Sequence, residues 1–240
     1  MKITFSSAKE FSKYIELCSK LSTDALFKLT PDGLIIKALD QGNISLLKLT
    51  IPTHAYEADT EELQIGLDVA ELKKLIGKAK DDQTLTLEFQ ETQIIITITK
   101  EGITKKYYSR AVDMTGKDIE PKTQYENYAI IDPETFKEII DDAKKVSTHI
   151  KFYLTPDHLE AEAKDMGNVK YQIRLEKTAL IDLVCKDPQA AMFPVLHLSY
   201  IAPGLKESDV KLYLATAKPL KLGFRVGSAD AQYWVAPAEE

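Results

Sequence analysis

The stretch Phe27–Ile44, FKLTPDGLIIKALDQGNI, occurs twice. Moved by 125 positions it falls on Phe152–Val169, FYLTPDHLEAEAKDMGNV. Phe27, Leu29, Thr30, Pro31, Asp32, Leu34, Ala38, Asp40, Gly42 and Asn43 meet Phe152, Leu154, Thr155, Pro156, Asp157, Leu159, Ala163, Asp165, Gly167 and Asn168. Ordinary composition would give about one identity over such a length. The same offset pairs Phe11 with Phe136 and Ser22-Thr23 with Ser147-Thr148. The period is about half the chain, so it marks a duplicated domain rather than a solenoid unit.

Outward from the repeat, each half reads alike. Met1 to Phe5 alternates as a strand, and Ser6 and Ser7 offer caps for a helix over 8–22. Phe11, Tyr14 or Ile15, Cys18 and Leu21 form its apolar stripe, and Lys9, Lys13 and Lys20 lie largely off it. The repeated stretch gives strand, turn and strand, broken by Thr30-Pro31-Asp32-Gly33 and Gln41-Gly42-Asn43. The next strand covers 44–51. An acidic loop over 53–62 leads to a second helix over 68–80, with Asp68 as its cap. Three strands close the half, over 84–89, 93–99 and 104–112. In the second half Asp132-Pro133 opens a helix to about 147. The repeated hairpin follows, then a strand over 169–175. Pro203-Gly204 shortens or breaks a helix over 196–206. Closing strands fall at 210–214, 220–226 and 232–235. Met114–Asn127, with Gly116 and Pro121 and no sustained period, is the connector. The predicted divisions are 1–113, 114–127 and 128–240. The fold class is α+β, with antiparallel sheets and the helices on one face.

Composition narrows the function. The chain is 44% hydrophobic and 28% charged, the balance of a soluble globular protein. No apolar run approaches a membrane span, and MKITFSSAKEF lacks a signal-peptide core, so no membrane partner is expected. Cys18 and Cys185 sit in different halves, which points to free thiols in a reducing compartment. A cytoplasmic protein is expected, nucleoid-associated if archaeal and nuclear if eukaryotic. There is no phosphate loop, CxxC or HExxH, and His54, His149, His158 and His197 have no metal spacing. Neither a cofactor, a metal nor an enzymatic activity is expected. The net charge is −6, whereas the four predicted helices together carry +3, which leaves −9 for the remainder. Lys73, Lys74, Lys78 and Lys80 crowd the second helix. Solvated lysines on amphipathic helices would explain them, but a helical face for phosphates on a body that repels them fits the contrast too.

The segment GLIIKALDQGNISLLKL, with Leu39-Asp40 before a turn and 44–49 after it, resembles the ALD-x-x-H-V-x-L signature of the archaeal and eukaryotic sliding clamp family, proliferating cell nuclear antigen. Tyr233-Trp234-Val235-Ala236-Pro237 resembles that family's Y-Y-L-A-P tail, and Pro219-Leu220 its P-L before the last strands. The resemblance spans essentially the whole chain. It implies a ring of three subunits, homo- or heterotrimeric, with sheets outside and twelve helices lining a hole. Helices about 9 Å apart make a circle of roughly 110 Å, and removing helix radii leaves a hole of about 24 Å, enough for a duplex. The implied partners are duplex DNA held without sequence reading, a clamp loader, and DNA polymerase, flap endonuclease and DNA ligase through short peptides. The implied role is a processivity factor in DNA replication and repair. A clamp-shaped damage or signalling scaffold is the alternative.

The resemblance also assigns residues. Lys13, Lys74 and Lys206 match basic inner-helix positions, and Lys20, Lys73 and Lys78 join them as expected DNA contacts. Leu39, Ile44, Leu46, Ile119, Tyr125, Pro219, Trp234, Ala236 and Pro237 are expected to form the pocket for partner peptides. The edge strands over 104–112 and 169–177, with Tyr107, Tyr108, Tyr171 and Ile173, are expected to join subunits. Asn43 stands where the family usually has His, and Asp118 and Glu120 where its connector is often aliphatic. These two carboxylates are expected to stay solvated and to favour partner peptides with basic flanks.

Overall fold

A computed structural model describes residues 1–60, 62–90, 93–114, 116, 118–167, 169–206 and 208–239. The predicted connector therefore has Thr115 and Lys117 outside the described residues, and the repeated turn has Asn168 outside them. The chain forms two compact units. One is Met1–Gln41, Leu47–Ile119 and Gly227–Asp230; the other is Gly42–Leu46, Glu120–Val226 and Ala231–Glu240.

The first unit is built from β1 (Lys2–Phe5), α1 (Ala8–Leu21), β2 (Asp24–Thr30), β3 (Gly33–Leu39), β4 (Ser45–Ile51), β5 (Glu57–Ala58), β6 (Leu63–Asp68), α2 (Val69–Ile76), β7 (Thr84–Phe89), β8 (Gln93–Lys100) and β9 (Ile103–Val112). The strand order is β4-β3-β2-β6-β9-β8-β7-β1-β5. β9 runs along β8 and then turns its last residues, Ala111 and Val112, onto β6. α1 packs beside α2, and both lie on the strands: α1 on β2, β3 and β7, α2 on β2 and β6. Phe11, Tyr14, Ile15, Leu17, Cys18 and Leu21 are the buried face of α1, so both Tyr14 and Ile15 belong to it. Burial pushes the Cys18 thiol up to about 12, which leaves it inert. The 227–230 segment is held by Glu10, which accepts from the Ser228 amide at 2.8 Å and its hydroxyl at 2.5 Å.

The second unit contains β10 (Tyr128–Ile131), α3 (Pro133–Val146), β11 (His149–Leu154), β12 (His158–Lys164), β13 (Lys170–Glu176), β14 (Asp182–Val184), β15 (Gln189–Pro194), α4 (Val195–Tyr200), β16 (Val210–Tyr213), β17 (Leu220–Val226) and β18 (Ala229–Val235). Its strands run β14-β10-β16-β17-β18 and β13-β12-β11-β15. α3 packs beside α4 and on β11, β12 and β13.

The duplication is visible atom by atom. The Ser7 side chain accepts from the Glu10 amide, and Asp132, 125 positions on, accepts from the Thr135 amide. Both 14-residue helices end at a serine whose amide bonds back four residues, Ser22 to Cys18 and Ser147 to Ala143. Leu29 opposes Leu34 and Phe27 opposes Ile36; Leu154 opposes Leu159 and Phe152 opposes Ala161. Identical register means that the repeated apolar residues fill the core in both copies.

Several elements differ from the sequence reading. α2 stops at Ile76: the Gly77 amide still bonds back to the Lys73 carbonyl, but glycine disfavours helix and the next bond, from the Ala79 amide to the Ile76 carbonyl, closes only a three-residue turn. Lys78 and Lys80 thus lie beyond the helix. Part of the acidic loop is a strand, β5, paired with β1, and β6, β14 and β15 were not expected as strands. Pro203 does end α4 early, and a single 3-10 turn over Ala202–Gly204 follows. Among the described residues no helix is long and apolar enough to cross a membrane.

One backbone requirement separates the copies. Gly33 has φ 145°, and a Cβ there would run into the Ile51 carbonyl oxygen, whereas its counterpart is His158. Gly33→Ala should lower unfolding free energy by about 1–3 kcal/mol, read as a shifted urea midpoint with unchanged slope; an unmoved midpoint would show that β4 yields freely there.

Candidate functional site

Three surfaces carry the predicted residues. The first is the helix layer of the first unit. Lys20 in the last turn of α1, Lys74 in α2 and Lys78 after it are exposed, and Lys13 and Lys73 are half-buried. Lys9 is paired with Asp81 at 2.7 Å. The helix layer of the second unit is different. Lys137 faces Asp141 at 3.4 Å and Lys145 faces Asp142 at 2.6 Å, so α3 largely neutralises its own charge. Lys206 lines a cleft of about 520 Å³ with Asp132, Glu134, Lys137 and Glu138, in acidic company rather than on a basic face.

The second surface is a pair of strand edges. β13 pairs only with β12 among the described residues. β9 pairs with β8 along its length and with β6 only at Ala111 and Val112. Each leaves backbone donors and acceptors along one side. Tyr108 is 60% exposed on β9, and Tyr107, Tyr171 and Ile173 are half-buried.

The third surface lies in the second unit. Its amide at Ala236 donates to the Ile44 carbonyl at 2.7 Å, which ties the C-terminal tail beside Ile44. The Tyr125 hydroxyl donates to the Pro219 carbonyl at 2.8 Å. Trp234 is nearly buried, with Lys221 5.4 Å from its ring centre. Ile44 is exposed, and Tyr125, Pro219, Ala236 and Pro237 are half-buried. Leu46 is buried and packs inside rather than lining an opening. Leu39, half-buried, and Ile119, exposed, belong to the first unit.

The connector carboxylate Asp118 is exposed, as expected, and it is also paired: it accepts from Lys28 at 2.8 Å and from Lys37 at 2.7 Å, and Lys37 also reaches the Ile119 carbonyl. The hydrogen bonds from Lys28 and Lys37 hold its carboxyl below the usual range. Two lysines from β2 and β3 thus answer a charge 80 or more residues away, a pairing that local pattern cannot reveal. Glu120 is exposed.

Three of the four histidines have ordinary partners: His197 with Ser45, His158 with Thr155, His149 with Thr148. No group of His, Cys, Asp and Glu among the described residues is arranged to hold a metal.

Two copies of one α+β unit, each with a helix pair on antiparallel strands, define the duplicated clamp fold. The model of the proliferating cell nuclear antigen N-terminal domain matches residues 1–122. The chain belongs to the proliferating cell nuclear antigen family, as its signature and tail motifs indicated. It is 29% identical over 245 residues to the DNA polymerase sliding clamp 1 of Pyrobaculum aerophilum, covering 99% of this chain and 98% of that protein. Its fold matches A. fulgidus PCNA bound to the C-terminal region of FEN-1, with TM-score 0.86, 20% identity and coverage of 100% and 98%. It also matches a chain of the PCNA2-PCNA3 complex from Sulfolobus tokodaii, with TM-score 0.84, 19% identity and full coverage of both chains.

Because the Asp118 pKa is depressed on folding, the contact with Lys28 and Lys37 is present above the ordinary aspartate range, about pH 4, and is lost as pH falls through the lowered value. Asp118→Asn should therefore raise amide exchange over 116–122 at pH 7, and the parent should show the same rise only in acid. Identical exchange in parent and variant at pH 7 would show that the ion pair does not hold the connector.

Proposed function

We propose that this chain is one subunit of a DNA sliding clamp, a processivity factor that encircles duplex DNA and tethers replication and repair enzymes. Family membership across a duplicated clamp fold carries the reading. The relatives named as DNA polymerase sliding clamps match over nearly their whole length. The activity belongs to the clients, and the clamp contributes position: a tethered enzyme meets its substrate again instead of diffusing away.

The surfaces take roles accordingly. Lys13, Lys20, Lys73, Lys74 and Lys78 meet phosphates without reading bases, so the ring can slide. Lys206 contributes less, given its acidic neighbours. The edges of β9 and β13 pair between subunits, which satisfies both ladders at once. Ile44, Tyr125, Pro219, Trp234, Ala236 and Pro237 take the apolar anchors of client peptides; the family resemblance adds buried Leu46 and, from the first unit, Leu39 and Ile119. Flap endonuclease, polymerase and ligase are the clients, a clamp loader opens the ring, and two further subunits complete it. The divisions 1–113, 114–127 and 128–240 are its two clamp domains and their connector.

A clamp is retained topologically. The protein, loaded with its fellow subunits and loader, should remain on closed circular DNA through a gel-filtration column and be lost when the circle is cut. Equal retention on both forms would reject encirclement. Stimulation of a replicative polymerase distinguishes the replicative role from a damage scaffold. Lys74→Glu with Lys78→Glu should weaken retention at low salt and make its salt dependence shallower, while leaving the melting temperature nearly unchanged, since exposed charges contribute little to folding.

The edge pairing has its own check. Tyr108→Glu on β9 and Ile173→Lys on β13, made in one chain, should turn the assembled species into monomers by light scattering. An unchanged mass would place the subunit contact elsewhere.

A further inference from the structure

The charge on β9 is all of one sign. Lys105, Lys106 and Arg110 are exposed, and no residue of the strand is acidic. Among the described residues none of the three has a carboxylate partner. The register divides them by face. Lys105, Tyr107 and Ser109 oppose the buried Ile98, Ile96 and Ile94, so they share the inward face. Lys106, Tyr108 and Arg110 oppose Thr97, Ile95 and Gln93 and stand outward. β13 divides in the same way. Tyr171, Ile173 and Leu175 oppose the buried Ala163, Ala161 and Leu159, while Lys170, Gln172, Arg174 and Glu176 stand outward. These outward groups are already engaged within their own unit: Lys170 with Glu162 at 2.9 Å, Gln172 with Glu160 at 2.6 Å and Arg174 with Glu176 at 2.8 Å.

We infer that β9 receives the edge strand of a different clamp subunit, one that presents carboxylates outward; the inference rests on the edge pairing proposed above. A continued sheet keeps its buried face together, so outward residues lie beside outward ones. Cross-strand neighbours stand about 5 Å apart, and like charges directly opposite destabilise the pair. A second copy would set its own β13 there, with Lys170 and Arg174 beside Lys106 and Arg110. Its one outward carboxylate on that strand, Glu176, is held by Arg174. Burial, Asp142 and Glu138 raise the Tyr171 pKa, which puts α3 carboxylates on the inward face; a second copy can therefore answer Lys105 there but not the outward pair. Lys106 and Arg110 would be covered without a counter-charge, and cations taken from water need one. An edge with Asp or Glu at its outward positions answers both directly, and such complementarity also rejects the wrong partner.

The test recharges β13 of this chain, so that a copy of it supplies the acidic edge. Lys170→Gln with Arg174→Gln removes the like charges, and Lys170→Glu with Arg174→Glu adds carboxylates. Sedimentation of each purified protein should show the Glu pair associating roughly fivefold to tenfold tighter than the parent at low salt, with the Gln pair between them. The gain should shrink with salt and vanish when Lys106→Gln and Arg110→Gln are added. If the Glu pair fails to fold, judged by its melting temperature, the Gln pair decides the same comparison. A parent that associates as tightly as the recharged proteins overturns the inference in favour of a second copy. A gain that survives the loss of Lys106 and Arg110 overturns it as well. Association that Tyr108→Glu with Ile173→Lys leaves unchanged rejects the edge pairing itself, and the inference with it. A labelled duplex that binds through Lys106 and Arg110, with no gain in association, overturns it in favour of a phosphate contact.

Discussion

A sheet that ends must do something with its last row of backbone amides and carbonyls. In this chain that constraint falls on β9 and β13. Each is a full-length strand with an open side, and neither is blunted by proline or shortened. β13 alternates exposed and half-buried residues, with Tyr171, Ile173 and Leu175 on the half-buried face. A monomer with such edges would pair indiscriminately. Two different edges on one chain permit a heterologous contact, head to tail, and such contacts make either rings or open filaments according to the rotation between neighbours. The clamp role depends on closure, so edge geometry comes before any DNA contact in the chain of causes.

The helix layers obey a second constraint, that of charge. A protein of net charge −6 is repelled by a polyanion at long range, and attraction must be local. The first unit carries exposed lysines on and after α1 and α2, where the proposed DNA contact would find it. The second unit does not repeat the device, because Asp141 and Asp142 occupy α3 and hold Lys137 and Lys145. Duplication preserved the caps, the register and the apolar stripe, all of which serve folding. It did not preserve the surface charge, which folding does not require. The two halves are therefore equivalent as folds and unequal as electrostatic surfaces.

The same distinction explains what was legible in the sequence. Ten identities across the hairpin announced the duplication, and Ser7 and Asp132 announced both long helices, since caps and turns are local chemistry. β6 was hidden behind the acidic loop, where Leu63, Ile65 and Leu67 alternate over too short a run to stand out. β15 was hidden by its Ala-Ala start and its terminal Pro194; its pairing to β11 supplies what propensity does not. α2 read too long because Lys78 and Ala79 continue a helical pattern past Gly77. Of the site, the motif residues around Ile44, Pro219 and Trp234 were readable by resemblance. The ion pairs of Asp118 were not, because its partners Lys28 and Lys37 lie on β2 and β3, far back in the chain.

The charge of the connector shows why. Asp118 is exposed, yet it accepts from Lys28 and Lys37, and those hydrogen bonds lower its pKa, so it stays ionised at neutral pH. Its field is shaped by partners 90 and 81 positions away in the chain. Electrostatic selectivity depends on such placement and not on how many charges are encoded.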